Sequence, residues 1–140
     1  MKIKENYSFF SNIIFLLPLF FSIKRGYVGF SFVIFGVFIL SSLFHYYKPK
    51  GPIWFDKIRR LKLFQLEFFW ADIFVANILI VYNFFVFAEK GFSNEFWYSM
   101  ILAVVALYFY FFMTTRREYD ICHAIWHIFA GIITLLAVIA

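Results

Sequence analysis

FQLEFFWADIFVANILIVYNFFVFA, residues 64–88, is an almost unbroken apolar run. As an α-helix these 25 residues extend about 38 Å, more than the ~30 Å hydrocarbon thickness of a bilayer. Glu67 sits near the start of the stretch, so Asp72 is the one carboxylate clearly inside the apolar span. Working outward, similar runs cover Tyr7–Ile23, Tyr27–Tyr47, Phe96–Met113 and Tyr119–Ala140. They are separated by Lys24-Arg25-Gly26, by a basic loop opening Lys48-Pro49-Lys50-Gly51-Pro52, by Glu89-Lys90-Gly91, and by Thr114-Thr115-Arg116-Arg117. The expectation is an all-α, polytopic transmembrane bundle of about five helices, forming a single domain over residues 1–140.

Composition agrees. The chain of 140 residues is 64% hydrophobic, 26% aromatic and carries 24 Phe, more apolar surface than so small a domain can hide from water. Charged residues make up 15%, against roughly 25% in ordinary globular proteins. The Phe abundance reads as lipid-facing filler. The net charge of +5 sits in short loops, where it sets topology and meets anionic headgroups, so no nucleic-acid partner is expected. A lone cysteine, Cys122, excludes an intrachain disulfide. Lys2 and Lys4 precede the first apolar run as in a signal peptide. No small-x-small cleavage site follows, however, and Pro18, Phe20 and Phe21 suit a retained helix.

With five crossings, one face of the membrane receives Lys2, Lys4, Lys48, Lys50, Lys57, Arg59, Arg60, Lys62, Arg116 and Arg117, and the other receives Lys24, Arg25 and Lys90. The positive-inside rule then places the N-terminus in the cytoplasm and the C-terminus outside. In the Pro52–Leu63 loop, Ile53, Trp54, Phe55, Ile58 and Leu61 interleave with Lys57, Arg59, Arg60 and Lys62. This segment reads as a topology-setting loop with a Trp anchor, or as an interfacial helix recruiting anionic lipid.

The three histidines, His45, His123 and His127, all lie inside apolar helices, where ionisable groups are costly and usually functional. His123 and His127 share one face of the last helix, and Ser41 and His45 repeat that spacing on the second. Helix 2 reaches His45 near its end, whereas helices 3 and 5 meet Asp72, His123 and His127 in their first few turns. Ser41, Asp72, His123 and His127 therefore fall roughly 6–13 Å below one membrane boundary, with His45 shallower. Three neutral imidazoles and an open position describe a catalytic zinc site. There Asp72 can hold a water and take its proton, and Ser41 can hydrogen-bond the water or a developing oxyanion. The reaction class suggested is hydrolysis of an amide or ester bond in a membrane lipid.

Ser41-Ser42-Leu43-Phe44-His45 closing helix 2, Asp72 in helix 3, and His123-Ala124-Ile125-Trp126-His127 in the last helix resemble the CREST superfamily. That group includes alkaline ceramidases, adiponectin-receptor-like proteins, GPI-lipid remodelling hydrolases and myomaker-like proteins. Its shared pattern is Ser-x3-His, an intramembrane Asp, and His-x3-His in the final helix. The run His-Ala-Ile-Trp-His-Ile-Phe-Ala-Gly is most similar to the ceramidase branch, and Leu66–Ala76 is nearer the myomaker-like branch. The resemblance implies zinc held by His45, His123 and His127, with Ser41 and Asp72 beside the catalytic water and a ceramide-like substrate favoured. Family members have seven helices and this chain shows five. Removing an even number keeps the last helix running in the same direction, and it makes a homo-oligomer plausible as the way to complete a substrate cavity.

Plainer readings stand beside these. An intramembrane His can be an interhelical hydrogen-bonding residue, Asp72 can be structural, and Ser41 can bond its own backbone. Asp120 can orient His123 or simply stabilise a helix N-terminus. Trp126 reads as packing, while Gly131 and Thr134 continue the face of His127, with Gly131 permitting close helix approach. The alternative function is a non-enzymatic, receptor-like or membrane-remodelling protein whose metal is structural. Haem is a weaker rival, because His123 and His127 share one face and cannot grip a ring from both sides. An integral, multi-pass location follows from the spans. Which membrane it is depends on the host, being the plasma or inner membrane if that is prokaryotic.

Overall fold

The computed structural model describes residues 7–47, 61–111 and 116–140. Within them the chain forms five helices in sequence: α1 (Tyr7–Lys24), α2 (Val28–Tyr47), α3 (Leu63–Glu89), α4 (Asn94–Phe111) and α5 (Arg116–Ile139). Helix α1 contains a tighter 3₁₀ turn over Asn12–Phe15, between α-helical Tyr7–Ser11 and Leu16–Lys24. The proposed amphipathic segment at Pro52–Leu63 lies outside the described residues except for its last three, which lead into α3. The expected end of the fourth helix at Met113 also lies outside them.

Two of the helix stops are glycine-directed. Gly26 adopts φ +78° and Gly91 φ +71°, left-handed values that cost glycine nothing. At the first, Tyr27 N–H bonds Ser22 O at 2.9 Å and Gly26 N–H bonds Ile23 O at 3.0 Å. At the second, Phe92 N–H bonds Phe87 O at 2.9 Å and Gly91 N–H bonds Ala88 O at 3.1 Å. Both are Schellman caps, which satisfy carbonyls the helix leaves open. Gln65 serves two ends at once: its Oε1 accepts from Lys62 N–H at 3.0 Å, and its Nε2 donates to Tyr47 O at 2.7 Å, tying the start of α3 to the end of α2.

Side-chain pairs fix the register. Tyr47–Phe64, Phe44–Phe69, Gly36–Val75 and Phe30–Tyr82 run α2 and α3 antiparallel. Phe9–Tyr46 and Ser22–Ser31 do the same for α1 and α2. Ser8–Asp120, Ser11–His127 and Ile14–Gly131 run α1 and α5 parallel. A Cβ built on Gly131 would stand 2.6 Å from Ile14 Cγ2, so this crossing depends on the missing side chain. Helix α1 thus fits between α2 and α5, with α3 flanking α2 and α4 flanking α5. The starts of α1, α3 and α5 share one end of the bundle with the finish of α2. The apolar core, including Phe15, Phe30, Ile34, Leu79, Phe87 and Val138, fills the middle and the other end.

Four helices, α1, α2, α3 and residues Tyr119–Ile139 of α5, are long and apolar enough to cross a membrane. Helix α4, with 18 residues, is about 27 Å long, and its described apolar part, Asn94–Phe109, is shorter than the other four. The outer surface suits lipid rather than water: Phe32 is 72% exposed, Phe74 68%, Ile13 68% and Val104 65%. In water such a surface would drive aggregation, whereas acyl chains solvate it.

Candidate metal centre

His45 comes from the last turn of α2, and His123 and His127 come from consecutive turns of α5. Their ring centroids form a near-equilateral triangle, with sides of 4.8, 4.9 and 4.6 Å. One donor atom from each lies within 4.8 Å of the others, so the three can hold a metal ion. His45 is 0% and His127 2% exposed, while His123 is half-buried.

One pair of donors stands at a spacing that a metal ion can bridge. Nε2 of His45 and Nε2 of His123 are 3.2 Å apart. Two nitrogens on one tetrahedral zinc, each at 2.0–2.1 Å, stand about 3.3–3.4 Å apart. The same spacing argues against haem, whose two axial nitrogens lie on opposite faces of the ring at about 4 Å, with no third imidazole alongside. Aromatic rings wall the cluster. Phe44 lies 5.1 Å from His45, Tyr119 stacks on His123 at 5.2 Å, Trp126 lies 6.0 Å from His123, and Phe15 meets His127 edge-on at 6.4 Å. Trp126, read from sequence as packing, therefore packs against a candidate ligand.

Ser41, 2% exposed, lies one turn before His45 on the buried face of α2. The antiparallel register of α2 and α3 places Asp72, half-buried, level with Leu40 and Ser41. Asp72 is not a member of the donor cluster, which among the described residues consists of the three imidazoles. The backbone carbonyl of Asp120 accepts a hydrogen bond from Ser8 Oγ at 3.3 Å.

Sequence reasoning missed the contribution of α1. Ser8, Ser11 and Asn12 recur at helical spacing on the face turned toward α5 and α2. Ser11 Oγ lies 2.9 Å from Nδ1 of His127, and its hydroxyl donates to Ser8 O, also at 2.9 Å. Asn12 is 0% exposed, and neither its Nδ2 nor its Oδ1 has a partner among the described residues. An orphaned buried polar group costs roughly 1–3 kcal/mol, and at Asn12 both amide atoms are left so, whereas at Asn83 only Oδ1 is. Three small polar residues at that spacing in an apolar run were the available signal. Compared with family models, curated proteins and solved structures, the chain matches none of them.

Proposed function

We propose that the protein is a membrane-embedded, zinc-dependent hydrolase acting on an amide or ester bond of a lipid, with a ceramide-like substrate favoured. The observation that carries this reading is the convergence of three imidazoles from two helices on one point, in a bundle whose outer surface suits lipid. The motif order Ser41-x3-His45, Asp72, His123-x3-His127 also supports a place beside the CREST superfamily.

Zinc held by His45, His123 and His127 supplies Lewis acidity and brings the pKa of water near 7. Asp72 accepts the proton of the attacking water as its oxygen bonds to the carbonyl carbon. Asp72 then returns that proton to the amine or alkoxide as the carbon–nitrogen or carbon–oxygen bond breaks. The Ser41 hydroxyl hydrogen-bonds the oxygen that gains charge, and the free Asn12 amide offers a donor and an acceptor to the substrate's polar group. Phe44, Tyr119 and Trp126 keep bulk water from the cluster, and the acyl chains remain in the bilayer. On the positive-inside rule the site opens toward the cytoplasm, with the N-terminus on that side.

A second reading has one observation in its favour. His45 and His127 are almost fully enclosed, as in a metal staple joining α2 to α5 without turnover. Asp72→Ala separates the two in a hydrolysis assay on a ceramide and ester-lipid panel with parallel metal analysis. A hydrolase loses roughly 10²–10⁴-fold in turnover while keeping its metal and its melting temperature. Wild-type protein that carries zinc yet hydrolyses nothing in the panel contradicts the enzymatic reading.

A further inference from the structure

We infer that Ser11 is a positioning residue for the metal centre, fixing His127 in the tautomer that carries its proton on Nδ1 and leaves Nε2 bare for the ion. The inference rests on the proposed metal site and assigns the hydrogen-bond logic of one of its ligands.

The hydrogens available at Ser11 decide the direction of the bond. A serine hydroxyl has one hydrogen and two lone pairs. Ser11 Oγ makes two contacts of 2.9 Å, to Ser8 O and to His127 Nδ1. A backbone carbonyl can only accept, so the contact with Ser8 O is a hydrogen bond only when it takes the single hydrogen of Ser11. Both bonds then form together only if Nδ1 of His127 is the donor. In a neutral imidazole a proton on Nδ1 leaves Nε2 as the lone-pair nitrogen. His45 and His123 already direct Nε2 at each other across 3.2 Å, so all three rings present the same atom to the centre.

Local structure holds the hydroxyl in place. Ser11 immediately precedes the 3₁₀ turn Asn12–Phe15. On either side of it the helix is pinned to α5, by Ser8 Oγ on Asp120 O at 3.3 Å and by Ile14 against Gly131. Phe15, 2% exposed, closes over the His127 ring from the next turn. From α1 the ring thus receives one directional bond and one apolar contact. An outer hydrogen-bond partner of this kind commonly contributes 10–100-fold in metal affinity.

The test uses purified full-length protein in detergent, with ¹⁵N-labelled histidine. In metal-free wild type, NMR is expected to show His127 protonated at Nδ1; Nε2–H there overturns the inference, with no variant required. Ser11→Ala is expected to shift that tautomer and to weaken zinc binding 10–100-fold in a chelator competition, whereas Ser11→Thr, which keeps the hydroxyl, stays within about threefold of wild type. Ser22→Ala, which removes a buried hydroxyl at the opposite end of α1, is expected to change neither. If Ser11→Ala keeps the wild-type tautomer and affinity, or Ser11→Thr falls with it, the inference is overturned. If wild type takes up no zinc while the tautomer still follows Ser11, the metal centre fails and the tautomer assignment stands.

Discussion

The two ends of this bundle both bury polar side chains, and they treat them differently. At the end where α1 finishes, Ser22 Oγ and Ser31 Oγ lie 2.7 Å apart and share their two hydrogens between each other and the carbonyls of Leu19 and Tyr27, each at 2.9 Å. Asn83 Nδ2 donates to Thr134 Oγ1 at 3.1 Å, and Thr134 donates in turn to Ala130 O. Arg25 and Lys90 reach the last carbonyls of α5, with Arg25 Nη1 at 2.8 Å from Val138 O. These polar groups bond their neighbours and act as glue, although Asn83 Oδ1, Ser93 Oγ and Ser99 Oγ at this end are buried with no partner among the described residues. At the other end, three imidazoles point at one another and an amide is buried with no partner among the described residues. The difference teaches that burial and polarity alone do not mark a site. What marks it is convergence, with metal-binding rings from two helices meeting at one point.

That comparison can be broken. Asn12→Leu removes the orphaned amide. Turnover on the lipid panel is expected to fall about 10²-fold or more, while stability rises by about 1–3 kcal/mol in a detergent melt. A variant that is less stable and equally active would make Asn12 glue like Asn83. A smaller effect is expected at the far end. Thr134→Val deletes the acceptor for Asn83 without changing shape and orphans its Nδ2, and should cost about 1–2 kcal/mol in stability, with metal content and turnover unchanged. Loss of metal in that variant would mean the two ends are coupled through α5.

Much of this architecture was legible in the residues. The apolar runs set the helices, and Gly26 and Gly91 ended two of them where their positive φ was needed. Helix α4 is the element that departs from five equal spans, because its described apolar part is shorter than the rest. The histidines stood out because an ionisable ring in an apolar helix is expensive, and their depths along the helices brought them to one level. Gly131 meets Ile14 as its small size suggested. Ser8, Ser11 and Asn12 were not legible. Serine and asparagine in such helices usually bond their own backbone, and only the approach of α1 to α5 shows that Ser11 also reaches His127. Asp72 was singled out by its charge, yet its level beside Ser41 emerges only from the register of α2 and α3.

The central claim is that His45, His123 and His127 hold one metal ion between α2 and α5. Elemental analysis of the purified protein, wild type beside His123→Ala, tests it most directly. About one zinc per chain is expected in the wild type and none in the variant, with the helical circular dichroism of both intact. A folded wild type without bound metal, or a His123→Ala chain that keeps its full complement, would contradict it.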